Sequence, residues 1–197
     1  MLLVCTGNIC RSALAERLGR AYLDEVLGED SRSVQLQSAG VQAVVDSAMH
    51  PDTALVLRGL GGDPAHFRAR QFLDAMAVDA DLTLTMTRQH RRHVLQGAPR
   101  ALNRTFTLRE AADLVPLVGG AGGSPGVGLV EQSRALVRRL ADARSRRRSR
   151  PTDDIPDPIG QSVEVHEAVG EAIAAALVPV LARIVFTHPR MTRGERC

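Results

Sequence analysis

Two cysteines, an arginine and a serine lie within eight residues near the beginning of the chain. The stretch Cys5–Ser12 reads CTGNICRS and follows the apolar residues Met1–Val4. A cysteine thiolate is a nucleophile, and the planar guanidinium of arginine can bind two oxygens of one phosphate. The spacing Cys-(X)5-Arg therefore predicts a site in which Cys5 attacks a group that Arg11 holds.

The residues on either side of this stretch predict a strand before it and a helix after it. Met1–Val4 is short and wholly apolar, as expected of a buried parallel strand. Apolar residues at near-helical spacing predict a helix over Ser12–Leu27, which Gly28 would end. A strand, a loop and a helix in this order are the beginning of a βαβ unit.

The loop between this strand and this helix is suited to hold an anion. Its backbone N–H groups can point inward, and the helix N-terminus adds positive potential, so both favour a thiolate and bind phosphate oxygens. Gly7 would permit a backbone conformation closed to other residues, and Asn8 would brace the loop. Ser12 can donate a hydrogen bond to the Cys5 sulfur and stabilise it as a leaving group. The predicted phosphate-binding residues are Thr6, Gly7, Asn8, Ile9, Cys10, Arg11 and Ser12.

Alternating strands and helices are predicted along the rest of the chain. The predicted strands cover residues 34–39, 81–86 and 105–108. The predicted helices cover residues 51–60, 67–77, 88–95, 108–115, 129–143 and 163–185. This alternation is typical of an α/β domain. Six glycines and a proline within residues 118–128 predict a flexible loop, and the residues from 187 predict a disordered tail.

The net charge of +3 is unevenly distributed over the 197 residues. Residues 138–150 contain seven arginines and one aspartate, which leaves a negative balance for the remainder of the chain. An arginine-rich segment of this kind could bind nucleic acid or an acidic partner. Aromatic residues for base stacking are scarce at 3%, however, so a solvated insertion is the favoured interpretation and nucleic acid an unexpected partner.

The cysteine spacing, the apolar stretches and the histidine spacing argue in turn against a secreted, a membrane-spanning and a metal-dependent protein. The three cysteines, Cys5, Cys10 and Cys197, show no disulfide-framework spacing, and the residues before Cys5 are too few for a signal peptide. The most apolar stretch is interrupted by Pro179, so no membrane span is expected. His50, His90 and His93 show no ligand spacing, and we expect neither metal nor cofactor. A reducing, cytoplasmic location is the expectation.

The segment VCTGNICRS at residues 4–12 closely resembles the phosphate-binding loop of the low-molecular-weight protein tyrosine phosphatases. Similar segments are QSAG at 37–40, FRARQF at 67–72, ADLTLTMT at 80–87 and Asp-Pro at 157–158. The resemblance implies a three-layer α/β fold, with a central four-stranded parallel sheet flanked by helices and the phosphate-binding loop after the first strand. It further implies one domain over residues 1–186, with a Gly/Arg-rich insertion at about 116–152.

The same resemblance implies a role for each of three residues in hydrolysing phosphotyrosine. Cys5 would take the phosphoryl group to give a phosphocysteine, and Arg11 would bind phosphate and stabilise the transition state. Asp157 would protonate the departing oxygen and then act as the base on the hydrolytic water. Asp153 and Asp154 are nearby rivals, but Pro158 completes the family's Asp-Pro pair. The implied partner is a phosphorylated protein, such as a bacterial tyrosine kinase, and phosphate-like oxyanions would inhibit.

Two further residues are assigned roles by the resemblance. Ser38 would join Asn8 and Ser12 in a network that supports the loop. Cys10 would form a reversible disulfide with Cys5 and so protect the nucleophile from over-oxidation. His66 does not align well with a histidine of the family and is interpreted as a surface residue.

The sequence departs from the family pattern around the pocket. Ala13 replaces a common proline, Ile159 replaces a common tyrosine, and the segment VQAVVDSAMH at 41–50 has no aromatic residue. These changes predict an aliphatic pocket, to whose wall Met49 is a candidate contributor. They leave the phosphatase chemistry intact but weaken the prediction of phosphotyrosine specificity.

Other activities on the same scaffold remain alternatives. Protein-arginine phosphatases of the family carry threonine where this chain has Ile9, which favours phosphotyrosine. Arsenate reductases that relay electrons through an intramolecular disulfide need further cysteines beyond the third strand, where the chain has none before Cys197. A reductase that uses an external thiol is not excluded by the cysteine count.

Overall fold

The computed structural model describes residues 1–119 and 128–186 and contains a four-stranded parallel sheet. Its strands are β1 (Leu2–Cys5), β2 (Gln37–Gly40), β3 (Thr83–Thr85) and β4 (Thr105–Thr107). They lie in the order β2-β1-β3-β4. The chain thus pairs β1 first with β2 on one side and then with β3 on the other. Such a switch point opens a crevice at the carboxyl end of β1, where Cys5 stands.

Seven α-helices accompany this sheet in the described residues. They are α1 (Arg11–Leu27), α2 (Pro51–Gly59), α3 (Asp74–Asp79), α4 (Arg88–Gly97), α5 (Leu108–Leu114), α6 (Leu129–Ala143) and α7 (Val163–Phe186). The predicted three-layer α/β fold is therefore confirmed. Most boundaries fall within three residues of those predicted from the sequence.

The two faces of the sheet are covered by different helices because successive side chains of β1 point to opposite sides. Leu3 and Cys5 face a large core built with α1, α2, α5, α6 and α7. Leu2 and Val4 face a smaller core with α3 and α4. Every residue of β1 is buried, which explains its wholly apolar sequence.

Helix α7 is the most apolar element, and by length and composition alone it could cross a membrane. Half of that stretch is buried within the protein, and the helix packs against α1, α2 and α5. A core helix of a globular domain satisfies the same length and composition test. Its apolar character is accounted for by these contacts.

The helix predicted over residues 67–77 is wrong in its first half. Only Asp74–Asp79 is helical, and the segment before it runs beside the end of β2. The Gly40 N–H donates to the Arg70 carbonyl, and the Phe72 N–H donates to the Gly40 carbonyl. These bonds to the strand replace the bonds that a helix would make within itself.

Two of the sequence predictions fall on parts of the chain outside the described residues. The flexible loop predicted over residues 118–128 lies mostly in 120–127, and the predicted tail begins at 187. Between them, α6 packs Leu136 and Leu140 into the core.

Candidate active site

The loop that follows β1 directs its carbonyl groups away from the cysteine sulfur. The carbonyls of Cys5, Thr6, Gly7 and Ile9 accept hydrogen bonds from backbone N–H groups of residues 41–50. In a trans peptide the N–H points opposite to the carbonyl, so the N–H groups that follow these carbonyls face inward. The loop therefore forms a concave set of donors, as an anion site requires.

Cys5 lies at the centre of this concavity and is 2% exposed. Its Sγ atom is 2.9 Å from the Ser12 hydroxyl and accepts a hydrogen bond of 3.3 Å from the Asn8 N–H. Both groups can stabilise a sulfur that carries negative charge. Ser12 is thus placed as the sequence predicted, within reach of the nucleophile.

Asn8 holds the loop together from below. Its side-chain NH₂ donates to Ser12 at 2.9 Å and to Ser38 at 2.8 Å, and its carbonyl oxygen accepts the Arg70 N–H at 2.8 Å. Ser38 in turn donates to a Glu16 carboxylate oxygen at 2.6 Å. The loop, β2 and the segment before α3 are joined through one buried amide.

The left-handed backbone of the loop occurs at Asn8, whose φ is +54°, and not at Gly7, where the sequence placed it. Asparagine is among the residues that tolerate this conformation. The glycine that the loop needs is instead Gly40 on β2. A Cβ atom there would lie 2.3 Å from the Thr6 carbonyl oxygen, closer than any real contact.

Arg11 reaches into the concavity from the first residue of α1 and is 4% exposed. One terminal nitrogen donates to the Ile155 carbonyl at 3.1 Å, and the other contacts Thr6 and forms an ion pair with Asp157. Its Nε atom is buried without a hydrogen-bond partner. Arg11 thus carries an unsatisfied cationic N–H donor and lines the same cavity as the nucleophile, and a phosphate oxygen could accept a hydrogen bond from that donor.

The structure separates the three neighbouring aspartates, among which the resemblance to the family favoured Asp157. Asp153 is buried and binds Arg147 at 2.9 Å, and Asp154 binds Arg88 at 3.0 Å. Asp157 alone of the three lines the cavity above Cys5, and its side chain is 45% exposed. Only Asp157 is placed to exchange protons with a bound substrate.

The cavity above Cys5 has a volume of about 250 Å³ and aliphatic walls. Val44, Ile159 and Ile9 from the loop supply the aliphatic part of the lining, and Gln42 also contributes. No aromatic side chain lines it within the described residues, which agrees with the prediction. Met49, a candidate for the wall, is instead buried in the core.

Cys10 is buried on the core side of the loop and also borders the cavity. Burial raises the pKa of the Cys10 thiol to about 11. Cys10 is therefore protonated near neutral pH. The fold also places it beside His50 and His166, a cluster that sequence spacing did not indicate because the three residues are widely separated in the chain.

His90 is a contact of the phosphate-binding loop that the sequence analysis missed. Its Nε2 atom lies 2.9 Å from the Thr6 hydroxyl, although 84 residues separate the two. Burial, followed by the positive charge of Arg11, lowers the pKa of His90 to about 4. His90 is therefore neutral near pH 7 and acts on Thr6 as an uncharged hydrogen-bonding group.

This neutral histidine gives a testable dependence of stability on pH. In the unfolded chain a histidine has a pKa near 6.5, so between pH 6.5 and 4 the unfolded state binds a proton that the folded state does not. We expect His90 to lower the free energy of unfolding progressively over that window, by up to about 3 kcal/mol at pH 4. Urea unfolding of wild type and His90→Gln at several pH values measures this.

The His90→Gln variant retains every other titrating group, so the difference between the two curves isolates His90. The wild type should lose stability relative to the variant as the pH falls through the window. Curves that run parallel from pH 7 to pH 4 would show that His90 is not held neutral.

Two side chains of the arginine-rich segment at residues 138–150 form contacts with the rest of the domain. Arg144 binds Glu110 at 2.9 Å and lies over the Phe106 ring at 4.2 Å. The Arg147 side chain is 7% exposed and pairs with Asp113 and Asp153. These contacts favour a structural use of the segment over a nucleic-acid surface.

The His66 side chain is exposed, as predicted. It lies outside the set of residues that line the cavity.

Comparison with known proteins agrees with this geometry. A Klebsiella pneumoniae relative, named among the low molecular weight protein-tyrosine-phosphatases, is 36% identical over 106 residues, 54% of this chain and 68% of that protein. A protein-arginine-phosphatase of Geobacillus stearothermophilus is 33% identical over 110 residues, 56% of this chain and 69% of that protein.

Among solved structures, the tyrosine phosphatase Wzb from Escherichia coli in complex with sulphate is 26% identical, with a TM-score of 0.59. The similarity covers 89% of this chain and 91% of that one. The family model described as low molecular weight phosphotyrosine protein phosphatase matches residues 1–116. This chain therefore belongs to the low molecular weight phosphotyrosine protein phosphatase family, a family of hydrolases.

Proposed function

We propose that the protein hydrolyses phosphotyrosine in proteins through a phosphocysteine intermediate on Cys5. The observation that carries the proposal is the convergence of Cys5, Arg11 and Asp157 on one cavity whose floor is a ring of inward-facing amides. The nucleophile, the phosphate-binding cation and a proton donor are then all within one small volume. No metal or cofactor enters the proposed reaction.

In the first step the Cys5 thiolate attacks phosphorus in line with the departing tyrosine oxygen. A sulfur–phosphorus bond forms as the phosphorus–oxygen bond breaks, and the Asp157 carboxyl donates its proton to that oxygen. The loop amides and Arg11 bind the three equatorial oxygens, on which negative charge is spread in the transition state. Because Asp157 pairs with Arg11 before substrate arrives, the incoming phosphate replaces the carboxylate on the guanidinium.

In the second step water attacks the phosphocysteine. The Asp157 carboxylate accepts a proton from that water, inorganic phosphate forms, and the bond between sulfur and phosphorus breaks. The Ser12 hydroxyl at 2.9 Å and the Asn8 N–H at 3.3 Å stabilise the sulfur as it leaves. The same amides and Arg11 would bind free phosphate, so phosphate and similar oxyanions should inhibit competitively.

The lining of the cavity supports an aryl phosphate as substrate. Val44 and Ile159 line the cavity and are 48% and 46% exposed, so both offer accessible aliphatic surface against which a flat ring can pack. Ile9 adds apolar surface at the point where a charged guanidinium substrate would need polar contacts. Phosphoarginine remains the alternative, since one relative is a protein-arginine-phosphatase.

Turnover on four substrates tests this proposal. A phosphotyrosine peptide, p-nitrophenyl phosphate, a phosphoarginine peptide and arsenate with a small thiol are compared, with Cys5→Ser as the inactive control. Phosphotyrosine should give the highest kcat/KM, and mass spectrometry of quenched wild type should find phosphate on Cys5. Faster turnover of phosphoarginine or arsenate, or equal activity of Cys5→Ser, would refute the proposal.

Reversible oxidation is a second part of the proposal and rests on Cys10. We expect hydrogen peroxide to oxidise the Cys5 thiol to a sulfenic acid, with release of one water. The Cys10 thiol then attacks the Cys5 sulfur, so that the sulfur–sulfur bond forms as the sulfur–oxygen bond breaks and a second water leaves. Wild type should recover nearly all activity in dithiothreitol, whereas Cys10→Ser should recover only a small fraction because Cys5 proceeds to irreversible acids. Equal recovery of the two proteins would contradict this role.

The setting of this activity is also proposed. The sequence features that favour a reducing cytoplasm also suit a catalytic thiol, which must stay reduced to react. The partner would be a phosphorylated protein such as a bacterial tyrosine kinase. Dephosphorylation of a purified autophosphorylated kinase, followed with a phosphotyrosine antibody, would test that partner class.

A further inference from the structure

Three potential metal-binding side chains meet on the core side of the phosphate-binding loop, and none of them takes part in the two proposed steps of hydrolysis. One donor atom from each of Cys10, His50 and His166 lies within 4.8 Å of the other two. Cys10 comes from the loop, His50 precedes the first residue of α2, and His166 lies in the first turn of α7. The cluster therefore joins three elements that are far apart in sequence.

His166 is the strongest sign that this cluster is built to bind something. It is 2% exposed, and its Nδ1 atom lies 2.8 Å from the Thr53 hydroxyl, which fixes the ring. Its Nε2 atom is buried and has no hydrogen-bond partner. A buried imidazole nitrogen that is oriented but unsatisfied is an uncommon feature, and metal coordination would satisfy it.

His50 also offers an unsatisfied ring nitrogen. Its backbone N–H donates to the Ile9 carbonyl at 2.8 Å, which ties the residue to the loop, and its Nδ1 atom is buried without a hydrogen-bond partner. The nearest carboxylate oxygen, from Asp52, lies 3.8 Å from Nδ1 and would have to approach to become the outer partner that a metal-bound imidazole usually has.

We propose that Cys10, His50 and His166 form a binding site for a divalent transition-metal ion, with Zn²⁺ as the favoured ion. One thiolate and two imidazoles suit zinc, which binds such ligands tetrahedrally and leaves the fourth position to water. On binding, the Cys10 S–H bond is replaced by a sulfur–metal bond and the proton passes to solvent. The ion would fasten the phosphate-binding loop to the beginnings of α2 and α7.

The geometry requires only a small adjustment. Tetrahedral zinc holds such donors about 3.3–3.6 Å apart, so the three atoms must approach by about 1 Å. The His50 and His166 rings are stacked, with centroids 4.8 Å apart and planes at 18°. One ring must turn about its Cβ–Cγ bond so that both nitrogen lone pairs converge on the ion.

Titration with Co²⁺ tests the site, because cobalt bound to a thiolate gives a near-ultraviolet charge-transfer band. All proteins carry Cys197→Ser, so that Cys5 and Cys10 are the only thiols. We expect one Co²⁺ per chain in this background and in Cys5→Ser, and Zn²⁺ should displace it. The band should disappear in Cys10→Ser, and affinity should fall at least about tenfold in His50→Gln and His166→Gln.

The exposed His93 supplies a matched control, since His93→Gln should bind Co²⁺ as the parent does. Circular dichroism on every variant verifies that it is folded. The proposal is overturned if the parent gives no charge-transfer band, or if the band survives Cys10→Ser and vanishes in Cys5→Ser, which would place the metal on the nucleophile. Unchanged affinity in both histidine variants would overturn it as well.

Discussion

Replacing Arg11 with lysine is expected to lower kcat/KM for a phosphotyrosine peptide by about 10³-fold, equivalent to about 4 kcal/mol of transition-state stabilisation. The charge is conserved in this change, so the expected loss measures geometry. A lysine ammonium is a point charge on a flexible stem and cannot offer two parallel donors to adjacent phosphate oxygens.

The contacts of Arg11 explain why the loss should be large. The guanidinium is held by the Ile155 carbonyl through one terminal nitrogen and by Thr6 and Asp157 through the other, while its buried Nε atom has no hydrogen-bond partner. Lysine would leave the Ile155 carbonyl without this donor and would loosen the segment that carries Asp157. Both the binding of phosphate and the position of the proton donor depend on one side chain.

Initial rates and the inhibition constant for inorganic phosphate measure this prediction. Inhibition by phosphate should weaken together with kcat/KM, because the same guanidinium binds both ligands. Arg58→Lys, an equivalent change at an exposed position of α2, should leave both quantities unchanged. A kcat/KM for Arg11→Lys within tenfold of wild type would show that charge alone is sufficient.

The part of the site that could be predicted from sequence is the part that is local in the chain. Cys5, Arg11 and Ser12 lie within eight residues, so one turn between a strand and a helix is enough to bring them together. The choice of Asp157 came instead from a resemblance to a family. Its distance from Cys5 depends on how the long intervening part of the chain folds, and local spacing carries no information about that.

His90 and His166 show what sequence spacing cannot reveal. His90 contacts Thr6 because β3 lies next to β1 in the sheet, which brings the beginning of α4 beside the loop. His166 approaches Cys10 because α7 packs along α1. Both contacts are consequences of the topology, so they can be predicted only after the fold itself has been predicted.

The failed helix over residues 67–77 has a related cause. Its apolar residues are compatible with helical spacing, but a strand end with free backbone groups lies beside it. Gly40 supplies both a donor and an acceptor to this segment, and the Asn8 side chain binds the Arg70 N–H. Tertiary hydrogen bonds thus override a local preference that is weak in itself.

Replacing Asp157 with asparagine should separate proton donation from phosphate binding. Asparagine has the same shape but cannot donate a carboxyl proton, so kcat/KM on a phosphotyrosine peptide should fall by about 10²- to 10³-fold. The loss of kcat/KM on p-nitrophenyl phosphate should be much smaller, because nitrophenolate leaves readily without a proton. Parallel measurements of kcat/KM on the two substrates isolate proton donation, since the later hydrolysis of the phosphocysteine is common to both and does not enter kcat/KM.

A second consequence of the same change distinguishes chemistry from damage to the fold. Asp157 pairs with Arg11, so its carboxylate competes with phosphate for the guanidinium, and a neutral asparagine competes less. Inhibition by inorganic phosphate should therefore become stronger in Asp157→Asn, whereas a distorted site would bind phosphate more weakly. Asp154→Asn provides the matched control, because Asp154 pairs with Arg88 outside the cavity. Equal losses of kcat/KM on both substrates, or the same losses in the control, would rule out Asp157 as the proton donor.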